Sequence, residues 1–135
     1  MSLTEFLLAN PVNDITQEVV VSKRLKDENG EMFKFKIKPM LHEEYLSYQE
    51  QCSQIKKGGK FEFNTRRFNQ LLILNHTVEP NFRSVEFLEQ AGCRTPEQAL
   101  NKFLLAGEIS MLAEQIRNIS GFEDSLDDLV DEVKN

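Results

Sequence analysis

The sequence predicts an α+β fold: an N-terminal β-hairpin packed against a mainly helical C-terminal part, as a single domain over residues 1–121 with a tail at 122–135. Two observations carry that prediction. Glu31 to Lys38 alternates, with Phe33, Phe35 and Ile37 on one face and Lys34, Lys36 and Lys38 on the other, next to an Asn29-Gly30 turn signal. After Pro39 the apolar spacing changes from two to three and four and keeps the helical period.

Taken in order, Leu3, Phe6, Leu7 and Leu8 predict a short amphipathic helix ended by Asn10-Pro11. Thr16 to Leu25, rich in β-branched residues, and Glu31 to Lys38 form the hairpin around Asp27-Glu28-Asn29-Gly30. Leu41, Tyr45, Tyr48 and Cys52 then mark one face of a helix, with Glu43, Glu44 and Glu50 outside. Lys56-Lys57-Gly58-Gly59-Lys60 breaks it, and Phe61-Glu62-Phe63 can add a short strand. Asn64 or Thr65 caps the next helix, which carries Phe68, Leu71, Leu72 and Leu74. Asn75 to Phe82 reads as a turn built around Glu79-Pro80-Asn81.

The second half reads as helix. Ser84 caps a segment with Val85, Phe87 and Leu88 that closes at Gly92. Thr95-Pro96-Glu97-Gln98 sets a cap residue, a first-turn proline and a glutamine at capping-box spacing. Leu100, Phe103 and Leu104 follow on one face. Gly107 either ends this helix or interrupts it, and Ile109, Leu112, Ala113 and Ile116 continue a stripe to Gly121. Ser125 then caps a last amphipathic segment with Leu126, Leu129, Val130 and Val133 at i, i+3, i+4 and i+7.

Composition sets the outer limits. A chain of 135 residues with 40% hydrophobic and 28% charged side chains is near the globular average, which excludes collagen-like and wholly disordered classes. No apolar run approaches the roughly 20 residues of a bilayer helix. Met1-Ser2-Leu3-Thr4-Glu5-Phe6 lacks the basic start of a signal peptide, so the expected place is the cell interior. Cys52 and Cys93 form no CxxC pair, which leaves reduced thiols as the expectation. The net charge of −6 is uneven: Glu123, Asp124, Asp127, Asp128, Asp131 and Glu132 against Lys134 alone put −5 into residues 122–135.

Candidate chemistry is thin. His42 and His76 fall in different elements without a ligand or nucleophile spacing, and Glu43-Glu44 and Asp127-Asp128 point apart on a helix. The Lys56–Lys60 loop lacks the Walker ending, so it reads as a basic loop and not a phosphate cradle. Lys34, Lys36 and Lys38 read as protection of an exposed strand edge, with phosphate contact as the weaker alternative. The acidic tail would repel a nucleic acid. No enzyme activity, no cofactor and no metal site are expected. The tail itself needs a special account, since a short acidic helix is marginal alone in water. Either it docks on its own domain or it folds on a partner, which makes Leu126, Leu129, Val130 and Val133 the candidate partner-binding residues.

Several stretches resemble one family. They are Met1-Ser2-Leu3-Thr4-Glu5-Phe6-Leu7-Leu8, Phe33-Lys34-Phe35-Lys36-Ile37-Lys38, Asn75-His76-Thr77-Val78-Glu79-Pro80-Asn81-Phe82 and Ala91-Gly92-Cys93-Arg94-Thr95-Pro96-Glu97-Gln98. Leu104-Leu105-Ala106-Gly107-Glu108-Ile109 and Ile119-Ser120-Gly121-Phe122 continue the likeness. Together they resemble the XkdN-like tail assembly chaperones of tailed phages and PBSX-type prophages. The resemblance implies a non-enzymatic role in tail morphogenesis: binding the tape measure protein, keeping it soluble and assisting the tail tube protein to polymerise. It also implies a place in the host bacterial cytoplasm, absence from the mature virion and, in many members, a longer frameshifted form. Neither nucleic acid nor membrane is an expected partner, and a homo-oligomer stays open. The rival reading is a structural virion component, a tube or connector subunit.

Overall fold

In a computed structural model, residues 2–122 are described. The expected final helix, with Ser125 and the Leu126, Leu129, Val130 and Val133 stripe, lies outside them. The chain opens with α1 (Leu3–Ala9), whose Ser2 cap accepts from the Glu5 amide at 3.1 Å. A turn at Val12–Asp14 leads to β1 (Gln17–Val19) and β2 (Phe35–Ile37). These pair antiparallel, with Gln17, Glu18 and Val19 opposite Ile37, Lys36 and Phe35. The predicted hairpin therefore forms, and an isolated bridge between Lys26 and Met32 closes its far end. There the Asp27 carboxylate accepts from the Asn29 and Glu31 amides at 2.8 and 3.0 Å, and Gly30 takes φ +84°. Phe33 departs from its expected place. It precedes the ladder and is exposed, while Phe35 and Ile37 are buried.

After α2 (His42–Cys52) comes a second hairpin, β3 (Ser53–Lys56) and β4 (Lys60–Phe63), in register Ser53 to Phe63 through Lys56 to Lys60. The sequence suggested β4 alone. The Lys56–Lys60 loop is the tip of this ordered hairpin, with Gly58 and Gly59 at φ +90° and +76°, a region that costs other residues strain.

Next, α3 (Thr65–His76) begins at Asn64, whose side chain accepts from the Arg67 amide at 3.0 Å. The residues read as a turn after it include β5 (Thr77–Glu79), which pairs with the free side of β2. The sheet order β1-β2-β5 makes β2 a central strand. For Lys36, edge protection is thus the wrong account: it lies opposite Glu18 on one side and Glu79 on the other, a favourable cross-strand charge arrangement, while Lys34 and Lys38 fall just outside the strand.

The remaining helices are α4 (Val85–Ala91), α5 (Pro96–Phe103) and α6 (Ala106–Arg117), followed by a wide turn at Asn118–Phe122. Ser84 and Thr95 cap α4 and α5, and Gly92 ends α4 at φ +71°. Gly107 neither ends nor interrupts a helix. The break falls at Leu104 and Leu105, both extended, and Glu108 accepts from the Leu105 amide at 2.8 Å to start α6. The core runs between the sheet and α3, α5 and α6, where Ile37, Leu72, Leu100, Leu112 and Ile116 are fully buried. This is the α+β single domain expected, with one more strand and one more hairpin.

Candidate partner-binding surface

The chemistry-bearing side chains do not converge. His42 sits in the first turn of α2, whereas His76 is fully buried at the end of α3. His76 Nε2 and the Tyr48 hydroxyl share a hydrogen bond at 2.8 Å. Burial pushes the His76 pKa below its usual value, against the pull of Glu44, so the imidazole is neutral at pH 7. Burial and the Glu44 carboxylate push the Tyr48 phenol up, so it keeps its proton. The pair fills a polar gap in the core between α2 and α3. Cys52 is buried and Cys93 half-buried, both free thiols. Among the described residues no group of three His, Cys, Asp or Glu side chains could hold a metal ion.

One buried charge is held in place. Arg24, in the long connection of the first hairpin, donates from Nε and Nη2 to both Glu108 oxygens at 2.8 Å and from Nη2 to the Phe103 carbonyl at 2.7 Å. That fork keeps the Glu108 carboxyl at about pKa 2 and bolts the hairpin to the α5–α6 junction.

Several large apolar side chains lie exposed on the exterior. On α1, Leu3, Phe6, Leu7 and Leu8 are 72, 51, 60 and 80% exposed, and the helix buries none of its residues. On the second hairpin Ile55 and Phe61 are 81 and 70% exposed. Between that hairpin, α2 and the end of α6 runs an open groove of about 460 Å³, lined by Met40, Tyr45, Phe63, Phe68, Arg117 and Phe122. Its aromatic rings form a row. Phe63 packs on Phe68 at 5.4 Å, Phe68 on Tyr45 at 6.2 Å and Tyr45 on Phe122 at 5.1 Å between centroids. A second groove of about 320 Å³ shares Met40 and adds Val12, Ile15, Pro39 and Ile119. Met40 is fixed there because its amide donates to Ser120 Oγ at 2.8 Å, and that hydroxyl donates to the Ile116 carbonyl at 2.6 Å.

Of the predicted site residues, Leu126, Leu129, Val130 and Val133 lie outside the described residues. The groove was missed because Tyr45 and Phe68 carry the spacing of an ordinary core face. The available signal was Phe61-Glu62-Phe63, a strand with an apolar face and nothing adjacent in sequence to cover it.

Comparison with known proteins gives a consistent picture. Residues 3–134 match the family described as phage XkdN-like tail assembly chaperone protein. The chain is similar to the phage-like element PBSX protein XkdN of Bacillus subtilis (strain 168), at 28% identity over 123 residues, covering 87% of this chain and 83% of that protein. It is also similar to the uncharacterized protein YqbN of the same organism, at 27% identity over 138 residues, covering 98% and 93%. The crystal structure of YqbN shares the fold, with a TM-score of 0.67 at 22% identity over 91% of this chain and 98% of that one.

Proposed function

Because the chain belongs to the phage XkdN-like tail assembly chaperone family, we propose that it binds the tape measure protein and keeps it soluble while tail tube protein assembles around it. The observation that carries this reading is the amount of uncovered apolar surface, on α1, on the second hairpin and along the aromatic groove, in a protein of net charge −6. Uncovered apolar area of that kind on a small domain marks an interaction surface. A tape measure presents long apolar helical faces until the tube encloses them. An acidic protein that covers such a face also keeps the resulting complexes apart by charge.

In this reading residues 122–135 act as an acidic amphipathic tail on the domain of residues 1–121. Leu126, Leu129, Val130 and Val133 supply apolar contact, and the surrounding Asp and Glu residues supply solubility. The work is binding alone, without catalysis or cofactor, in the host cytoplasm, and the protein leaves before the virion is complete.

Co-expression with the tape measure protein tests it. The soluble fraction of the tape measure should rise in the presence of this chain and fall back when the four aliphatic residues are replaced by Ser. Equal solubility with and without the chain overturns the function. A Ser variant as effective as the parent overturns only the role of the tail. Finding the chain in purified virions would instead make it a tube or connector subunit.

A further inference from the structure

We propose that the aromatic groove is filled by α1 of a second copy of this chain, so that two copies exchange their N-terminal helices. The inference goes beyond the tape measure reading and concerns the free protein: α1 and the groove, surfaces which that reading offers to a client, cover each other between two copies until a client displaces them.

The first ground is α1 itself. It has seven residues, buries none of them, and carries Leu3, Phe6, Leu7 and Leu8 in the open. Helices shorter than about 12–15 residues are marginal in water without packing. An apolar helix of this length is held by what covers it, and the described residues of its own chain leave it exposed. The second ground is the groove, which has the complementary defect: Tyr45, Phe63, Phe68 and Phe122 line an open apolar space in which no described element is seated. Charge agrees as well. The one charged residue of α1 is Glu5, and the one charged residue lining the groove is Arg117.

Position supplies the third ground. Val12 and Ile15, just beyond the end of α1, line the neighbouring groove, and Met40 belongs to both grooves. The tether of α1 thus starts beside the space to be filled, and α1 itself, which ends at Asn10, has no buried residue. Among its described residues, one copy offers a helix without a groove and a groove without a helix. A two-fold pair satisfies both at once and leaves no open end for further growth.

The test is the mass of the intact protein in solution. Light scattering behind size exclusion should give twice the chain mass. Replacing Phe6 and Leu7 together by Asp should bring it to the single-chain mass with the helical circular dichroism of the body retained. Phe63→Asp should do the same from the groove side. Crosslinking fixes the partner: Leu7→Cys protein mixed with Phe63→Cys protein, both carrying Cys93→Ser, should form a disulfide-linked pair when an oxidant is added. A single-chain mass at every concentration up to the solubility limit overturns the proposal. So does a dimer that ignores both the α1 and the groove substitutions, which would point to another surface or to residues 123–135. A chain carrying both Leu7→Cys and Phe63→Cys that closes on itself, with no linked pair, would overturn it in favour of fold-back within one copy.

Discussion

The two hairpins are near-twins in pattern and opposites in fate. Each alternates Phe with Lys or Glu, and each turns on glycine at positive φ. In the first, Phe35 and Ile37 are 5 and 0% exposed, because β5 pairs with the outer side of β2 and the helices cover that face. In the second, β3 and β4 pair, among the described residues, only with each other, and Ile55 and Phe61 keep most of their surface. Their ion pairs differ in the same way. Arg24 reaches from the first hairpin to the buried Glu108, whereas Lys56 and Glu62 face each other within the second with both side chains more than half exposed. Alternation defines an apolar face, and the cover for that face must come from elsewhere, in this chain or in another.

The comparison breaks most readily in the core. Ile37→Ala should cost about 2–4 kcal/mol in urea unfolding, through lost burial and the cavity left behind. Phe61→Ala should stay within about 0.5 kcal/mol for the monomeric fold. Comparable losses at the two positions would show that the second hairpin is covered after all.

Next in size is the bolt. Arg24→Ala strands a buried carboxylate and should cost on the order of 2 kcal/mol, while Lys56→Ala should be within about 0.5 kcal/mol because exposed pairs contribute little. A double-mutant cycle with Glu108→Gln would attribute the larger loss to the pair.

Acid sharpens the contrast further. Burial lowers the folded pKa of His76, so its contribution is complete above the usual histidine value of about 6.5 and is lost as pH falls below it. Glu108, held at about 2 by the Arg24 guanidinium, contributes fully above its ordinary value of 4.5 and loses that stability as pH falls from there towards about 2. Both groups abut the first hairpin. Urea midpoints taken from pH 7 to pH 3 should therefore decline, and Arg24→Ala should remove most of the decline below pH 4.5.

The smallest effect belongs to the turns. Gly30→Ala and Gly58→Ala each force alanine into a left-handed conformation worth about 1 kcal/mol of strain, yet neither turn carries core residues. Hydrogen exchange should loosen locally at each tip, with the amides of Leu72 and Leu112 unchanged.

What could be read from the sequence was mostly local. Ser84, Thr95 and Asn64 announce helix starts because a cap satisfies backbone donors within three residues of itself. β5 stayed hidden because three residues between an α-helix and a proline carry almost no periodic signal, and their partner strand lies some forty residues earlier. Glycine usually marks a helix end or interruption, which is why Gly107 draws the eye before α6. Here Glu108 makes the break, by capturing the Leu105 amide and the Arg24 fork. The aromatic groove was illegible for a third reason. Tyr45 and Phe68 have the spacing of core residues whether or not a neighbour arrives to bury their outer edges.

Cys52 stands where α2 gives way to β3, and its carbonyl accepts from the Asn64 amide at 2.7 Å, closing the base of the second hairpin. Its side chain is 1% exposed, and burial pushes its thiol pKa up, with Arg67 pulling the other way. A thiol in that state is nearly inert to alkylating reagents while the chain is closed. The molecule thus contains its own stopwatch. The rate at which Cys52 becomes labelled, set against the half-buried Cys93 as an internal reference, times how often the junction beneath the second hairpin parts from α3. If that clock slows when a binding partner is added, the partner grips the hairpin at its root, and the readout comes from a native side chain.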